Sequence, residues 1–114
     1  MFVPLARIAT ARSGDKGESS NVGVIARSDA AWAFLKEHLD AEKVRRHMAA
    51  INTGPVKRFE AENLRLLNFI LSDSLGGGGS ASLRTDAQGK THGLALLRMK
   101  IDVPQSVLDR TPAP

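Results

Sequence analysis

The chain has 114 residues, 42% of them hydrophobic, which suffices for the core of one compact domain. It contains no cysteine, and this excludes disulfides and thiolate metal sites. The net charge is only +4, with one Trp, four Phe and no Tyr, which argues against nucleic-acid binding. The start lacks a signal-peptide pattern, and no apolar run approaches the roughly 20 residues that span a bilayer. We therefore expect a cytoplasmic protein without membrane association.

Two strands and a long polar loop are predicted near the amino end. Residues 5–12, LARIATAR, are short and rich in small residues, which favours a strand over a two-turn helix. In residues 22–26, VGVIA, Val22, Val24 and Ala26 alternate with other residues as in a second strand. The nine residues between them, SGDKGESSN, exceed what a plain hairpin needs, so we expect this loop to have a further role.

Two amphipathic helices are expected next. Ser28 or Asp29 can cap the first, and Asp40 stands near the start of the second, which should end at the sequence NTGP. The apolar positions recur at helical spacing, with Trp32, Leu35 and Leu39 in the first helix and Val44, Met48 and Ile51 in the second. Lys43, Arg45 and Arg46 on the second helix suit a solvated face better than a phosphate-binding patch.

The middle of the chain predicts a short strand followed by a helix. VKRFE has the pattern of a strand, and ENLRLLNFILSDSL has leucine and isoleucine at helical spacing. Asn68 would then lie at or near the apolar stripe of this helix. A buried amide needs a partner, for which loop backbone is the first expectation and a ligand the alternative.

A closing hairpin and a tail complete the prediction. ASLRTD and THGLALLRMKIDV flank AQGK, whose Gly89 suits a turn. The doubled Leu96 and Leu97 interrupt the alternation of the last strand and suggest a bulge or burial on both faces. We expect one α+β domain over residues 1–104 and a loose tail over residues 105–114.

The polar loop SGDKGESSN is the first candidate site. Gly14 and Gly17 bracket Asp15 and Lys16, so consecutive backbone N–H groups can turn toward one anion. Asp15 and Lys16 are the candidate catalytic acid and base. The hydroxyl and amide groups that could orient an anionic oxygen belong to Ser13, Ser19, Ser20 and Asn21. The loop lacks the spacing of a nucleotide-binding P-loop.

The tetraglycine segment GGGGS is the second candidate. It is open to two interpretations, a flexible linker or a loop whose backbone passes very close to the first loop or to a ligand, and we favour the second. With Asn68, its proposed ligand-binding residues are Gly76, Gly77, Gly78, Gly79, Ser80 and Ser82.

Familiar catalytic and metal motifs are not evident. His38, His47 and His92 are dispersed without metal-ligand spacing, so each is expected at the surface and no metal is expected. There is also no GxSxG elbow and no Ser, His and Asp arrangement. Whether the chain is an enzyme stays open.

Three segments resemble the small domain of the acyclic-terpene-utilisation AtuA family: LARIATARSGDKGESSNVGVIAR, VKRFEAENLRLLNFIL and LGGGGSASLRTDAQGKTHGLALLRM. The resemblance covers about nine-tenths of the chain and leaves out the tail after Val103. Glu18 departs mildly from the Asp that is frequent in the family. The domain usually follows a much larger one, and this chain looks like the stand-alone form.

The resemblance implies a ferredoxin-like α+β sandwich with helices on one face of an antiparallel sheet. It also implies a link to the catabolism of terpenoid or branched acids as coenzyme A thioesters, with no assigned catalytic residue. Three functions stay open: a ligand-binding accessory protein beside a larger AtuA-like partner, an acyl-CoA hydratase or lyase, and a structural subunit. No cofactor beyond a coenzyme A thioester as ligand is expected, and a homo-oligomer is expected in each case.

Overall fold

Antiparallel sheets organise the computed structural model, which describes residues 1–16, 19–49, 54–72 and 92–114. The strands in chain order are β1 (Phe2–Pro4), β2 (Ala9–Lys16), β3 (Ser19–Ala26), β4 (Val56–Ala61), β5 (Leu66–Leu71) and β6 (Lys100–Asp102). The helices are α1 (Asp29–His38), α2 (Ala41–His47), α3 (residues 92–97) and α4 (Gln105–Asp109). Single 3₁₀ turns occupy Leu5–Arg7 and Glu62–Leu64.

The larger sheet has the order β2-β3-β5-β4, and every neighbouring pair in it is antiparallel. β3 is therefore bonded on both sides, and its Gly23 lies between Arg12 of β2 and Asn68 of β5. β1 and β6 form a separate two-stranded sheet. The expected α+β architecture with an antiparallel sheet is confirmed.

One face of the larger sheet is buried and the other is open. Val22 and Val24 of β3 are buried together with their cross-strand partners Phe69 and Leu67 of β5, and they form the core with the helices. The residues between them, such as Gly23 and Asn68, are only half-buried. Because side chains alternate along a strand, burial of every second residue indicates that the helices cover a single face.

The polar stretch of residues 13–21 is mostly strand, so the prediction of a nine-residue loop was wrong. β2 and β3 continue through it, and Ser13 pairs with Val22, Gly14 with Asn21, and Lys16 with Ser19. The first strand also begins later than predicted, because a 3₁₀ turn takes Leu5–Arg7. Polar residues do not end a strand when the neighbouring strand supplies the hydrogen bonds of the ladder.

The helix predicted for ENLRLLNFILSDSL was also wrong. Its start is the turn Glu62–Leu64, and its apolar centre is β5, which is bonded on both sides to β3 and β4. Arg65 lies between them with φ 51°, a left-handed conformation that a helix does not continue through. Leu67, Phe69 and Leu71 are buried at every second position, as in a strand. The same apolar residues also fit the spacing of a helix, which is why the sequence pattern was misinterpreted.

The two helices after β3 are confirmed, but α2 ends at His47, before its predicted end at the sequence NTGP. Ser28 Oγ accepts a hydrogen bond from Ala31 N at 3.0 Å, so Ser28 rather than Asp29 caps α1. Asp40, predicted only to lie near the start of the second helix, caps α2 through Oδ1, which accepts from Lys43 N at 2.7 Å. The apolar stripes are buried as expected at Trp32, Leu35, Leu39, Val44 and Met48, while Ile51 lies outside the described residues.

Glu62 connects α1 to the turn between β4 and β5. Trp32 Nε1 donates to Glu62 Oε2 at 2.8 Å, and Lys36 Nζ donates to Glu62 Oε1 at 3.0 Å. The Lys36 hydrogen bond is the main cause that lowers the pKa of Glu62. This exposed contact orients the helix over the sheet.

The predicted closing hairpin is not formed as expected. Residues 92–97 are helical, and only Lys100–Asp102 form a strand, whose partner is β1 at the other end of the sequence. The doubled Leu96 and Leu97 thus belong to a helix rather than to a bulged strand. The other predicted half, within residues 81–86, lies outside the described residues.

The last ten residues are docked rather than loose, which corrects the prediction of a tail. α4 buries Leu108, and Thr111 is fully buried. Arg7 and Arg27 donate to carbonyl oxygens of this segment, at 2.6 Å to Thr111 O and at 2.6 Å to Pro112 O. The side chains of Arg7 and Arg27, which are far away in the sequence, therefore hold this segment in place. Its amino-acid composition did not indicate these contacts.

Replacing Thr111 by Val should lower the free energy of unfolding by about 1–3 kcal/mol, because the hydroxyl is buried and bonded to Ser28 Oγ at 2.6 Å and to Val107 O at 2.9 Å. Urea unfolding measures the change. The matched control is Thr10→Val, since Thr10 is exposed on β2. Equal unfolding midpoints for the two variants would contradict a docked carboxyl-terminal segment.

Candidate functional site

A hollow of about 290 Å³ lies on the open face of the larger sheet. Its floor is Gly23 on β3, which is flanked by Arg12 on β2 and Asn68 on β5 in the hydrogen-bonded register. Ile25 and Leu66 add an apolar wall. A glycine in the middle of a central strand leaves out the side chain that would otherwise cover this floor.

The space above Gly23 is narrow enough to depend on the missing side chain. A Cβ built on Gly23 would lie 3.0 Å from Leu66 Cδ1 and 3.9 Å from Asn68 Oδ1. A Cβ on Gly14, at the rim of the same hollow, would meet nothing within 4 Å. Gly23 therefore shapes the hollow, whereas Gly14 borders it.

The polar groups of the hollow combine one cation with two carboxamides. Arg12 is exposed at the mouth, and Asn21 and Asn68 lie on neighbouring strands. Asn21 Oδ1 is shut off from solvent and accepts no hydrogen bond within the described part of the chain. A buried acceptor in that condition costs on the order of 1–3 kcal/mol unless a donor comes from a ligand or from residues outside the described ranges.

The structure brings together four of the residues proposed from the sequence. These are the lining residues Ser13, Gly14, Asn21 and Asn68. Asn68 reaches the hollow from a strand, not from the apolar stripe of a helix as predicted. Asn68 pairs with Gly23 and with Phe59, so its amide belongs to the open sheet face.

The predicted nest of backbone amides is not formed at Gly14. This residue is extended and pairs with Asn21 in the ladder, so it does not take the positive φ that such a nest needs. Asp15 and Lys16 occupy successive positions of β2, and successive strand positions belong to opposite faces of a sheet. The strand register thus gives no support to a joint acid and base role for these two.

Ser20 lies on the buried face, away from the hollow, and contacts a histidine. Its Oγ is 2.7 Å from His92 Nδ1, and both residues are buried. The next residue of α3 donates from Gly93 N to Ser13 Oγ at 3.3 Å. His92 is therefore a packed residue that joins α3 to β3, which corrects the prediction of a surface histidine; His38 and His47 are exposed as expected.

The remaining proposed residues cannot be placed in the site. Gly17 and the segment with Gly76, Gly77, Gly78, Gly79, Ser80 and Ser82 lie outside the described residues, and Ser19 is described as a strand position only. A meeting of the two glycine-rich segments stays a prediction.

Sequence reasoning missed Arg12, Gly23 and His92 as residues of interest. An isolated glycine inside a strand pattern is a known sign of close approach, so Gly23 carried a usable signal. Arg12 lies on the same face as Gly14, because side chains alternate along β2. This strand was predicted to end at residue 12, so the two residues were not related to each other. His92 had no such signal, because its helix was predicted as a strand.

The part of the chain that the structure describes holds neither a metal-binding cluster nor a membrane-spanning helix. There, no group of three or more His, Cys, Asp or Glu side chains is placed to hold a metal ion. Within the same ranges, no helix is long and apolar enough to cross a bilayer.

The fold and the open-faced site define a ferredoxin-like α+β domain. The sequence model of the AtuA ferredoxin-like domain family matches residues 3–102, so the chain belongs to this family. The resemblance seen in the sequence is thereby confirmed. No curated protein and no solved structure gives a significant match.

The stability of the fold should depend on the protonation of His92. Burial lowers the pKa of His92 below its ordinary value of about 6.5, so the unfolded chain binds a proton more readily than the folded one. The contribution of His92 is therefore complete above about pH 6.5 and is lost as the pH falls through the folded pKa. Urea unfolding at pH 7.5 and at pH 5 measures the loss.

His92→Asn is the informative comparison, because its amide nitrogen can replace Nδ1 beside Ser20 Oγ without titrating. The variant should lose less stability than the wild type between the two pH values. His38→Asn, at an exposed position, is the control and should behave like the wild type. An unchanged pH dependence in His92→Asn would contradict the assignment.

Proposed function

We propose that this chain is a ligand-binding accessory protein of acyclic-terpenoid or branched acyl-CoA catabolism, which holds an anionic acyl or thioester group in the hollow over Gly23. The observation that carries the proposal is the combination of a glycine floor, an apolar wall and polar side chains in one hollow, among them Asn21, whose Oδ1 accepts no hydrogen bond in the described part of the chain. Ligand sites are commonly largely apolar concavities with a few convergent polar groups.

The chemistry of the lining limits the ligand. Arg12 suits a carboxylate or a polarised thioester oxygen, and Ile25 with Leu66 suits a short branched hydrocarbon. Asn21 Oδ1 calls for an N–H or O–H donor close to that oxygen. An acyl thioester carries such a donor in the amide of its pantetheine arm, and a hydroxy acid carries one in its hydroxyl.

The role of an accessory protein rests on the family and on the open sheet face. Phe59 lies on β4, on the same face as Asn68, and its side chain is 51% exposed. A broad face with an exposed aromatic residue fits contact with the larger AtuA-like protein, or with a second copy of this chain. An independent hydratase or lyase activity through Asp15 and Lys16 is the less supported alternative, because their strand positions belong to opposite faces.

Gly23→Ala should weaken binding of a branched acyl-CoA at least tenfold, because the added methyl group enters the hollow against Leu66. Ala33→Ser, at an exposed position of α1 that does not line the hollow, is the control and should bind within about twofold of the wild type. Isothermal titration gives both constants. Thermal shift supports them, as ligand at 100 times its dissociation constant should add about 2.7 kcal/mol of stability. Equal affinities of the two variants would contradict the site.

Arg12→Gln should reduce the affinity for the free acid more than Lys57→Gln does. Both cations are exposed and belong to the open face by register, but only Arg12 lines the hollow. The pair therefore separates a specific contact from general charge attraction. Titration with a branched carboxylic acid at two salt concentrations is the measurement, and equal losses would count against an anion site at Arg12.

The accessory role has its own test. Mixing this chain with a larger AtuA-like protein at micromolar concentration should give one co-eluting complex in gel filtration. Two separate peaks, both with and without ligand, would contradict the proposed partner. They would not bear on the proposed ligand site.

A further inference from the structure

A second concave surface lies away from the open face of the larger sheet. This cationic groove, of about 350 Å³, runs between α2 and the β1–β6 sheet. Its lining residues that matter here are Phe2, Lys43, Arg46, Met99, Lys100 and Ile101. None of them belongs to the hollow over Gly23.

Three cations converge on the groove from two distant parts of the chain. Lys43 and Arg46 are three residues apart on α2, which places them on one helix face. Lys100 reaches the groove from β6. The basic residues of α2 were expected to form a solvated helix face. That expectation does not explain why Lys100, from β6, lines the same groove.

The existing contacts leave this positive charge largely uncompensated. Lys43 Nζ donates to His38 O at 2.6 Å, which positions the ammonium without neutralising it. Glu42 is bonded mainly to Arg45, and its nearest approach to Arg46 is 3.7 Å. Among the described residues Lys100 has no ion pair.

The one acidic residue that lines the groove is already paired. Asp102 Oδ1 accepts from the amino group of Met1 at 2.7 Å. The groove therefore presents a field that attracts an anion with more than one charge.

An exposed aromatic ring stands beside the cations. Phe2 is 71% exposed, and the register of β1 with β6 places Phe2, Asp102 and Lys100 on one face of the small sheet. The nearly buried Met99 and Ile101 also line the groove. Water is a poor solvent for such a ring, whereas a planar heterocycle gains free energy by stacking on it.

We infer that the cationic groove binds a nucleotide with two or more phosphates, whose base stacks on Phe2 and whose phosphates contact Arg46, Lys43 and Lys100. The planar base accounts for the exposed ring, and the phosphates account for the three cations. The same chemistry is offered by a free nucleoside diphosphate and by the nucleotide end of coenzyme A. This site is independent of the hollow over Gly23.

Titration with ADP, coenzyme A and tripolyphosphate is the test, with the double variant Arg46→Gln/Lys100→Gln. We expect it to weaken ADP binding at least tenfold. The control Arg45→Gln/Arg98→Gln removes the same charge from exposed neighbours that do not line the groove, and it should weaken binding less than threefold. Circular dichroism verifies that all variants are folded.

Phe2→Leu separates the base from the phosphates. It should weaken ADP binding about fivefold or more and leave tripolyphosphate binding unchanged, because about 1 kcal/mol of stacking corresponds to that factor. If coenzyme A binds and ADP does not, a site for nucleotides in general is overturned. If both bind, Gly23→Ala should leave the ADP constant unchanged, which separates this site from the one in the proposed function.

Three results would overturn the inference. The first is the absence of ADP binding by the wild type at millimolar concentration. The second is an equal loss in the groove variant and the charge-matched control, which would reduce the effect to overall charge. The third is tripolyphosphate binding as tight as that of ADP together with an unaffected Phe2→Leu variant, since phosphates alone would then be recognised.

Discussion

The hydrogen-bond register of β3 is the constraint on which the rest of the structure depends. β3 is bonded to β2 on one side and to β5 on the other, and this fixes Val22 and Val24 on the helix-covered face. The same register fixes Gly23 on the open face between Arg12 and Asn68. A shift of one residue would exchange the two faces, exposing the valines and burying the polar residues. The same strand pairing therefore determines both the core and the candidate site.

The site differs in kind from the one that the sequence suggested. A loop of flexible amides would bind an anion through backbone N–H groups, whereas a sheet face binds through side chains held by the ladder. Strand positions are fixed by neighbouring strands, so Arg12, Asn21 and Asn68 have a defined spacing before any ligand arrives. Buried contacts such as Ser20 with His92 support the opposite face of the same strand.

Two concave surfaces with different chemistry occur on this small domain. The hollow over Gly23 is narrow and mixes apolar with amide groups, while the cationic groove combines a ring with several positive charges. We propose the first for the acyl part of a ligand and the second for a phosphorylated nucleoside. The sequence analysis assigned the basic residues of α2 to a solvated face, because a helix considered alone shows only its own charges. Lys100 joins them solely through the fold.

The sequence alone determined the α+β class, the family, the presence of two helices that begin near Ser28 and Asp40, and the alternation around Val22. These features depend on neighbours a few residues apart, and local spacing or capping chemistry specifies them. It also named Ser13, Gly14, Asn21 and Asn68 as polar residues worth attention, without their geometry.

Only the tertiary structure decided those features that depend on pairing between residues distant in the sequence. The segment around Phe69 fits a helix and a strand equally well by periodicity, and it became β5 because β3 and β4 bond to both of its edges. Residues 92–97 became a helix against β3, and the carboxyl-terminal segment became ordered through Arg7 and Arg27. The hydrogen bonds and buried surface that settle such cases come from residues distant in sequence, so no local pattern contains them.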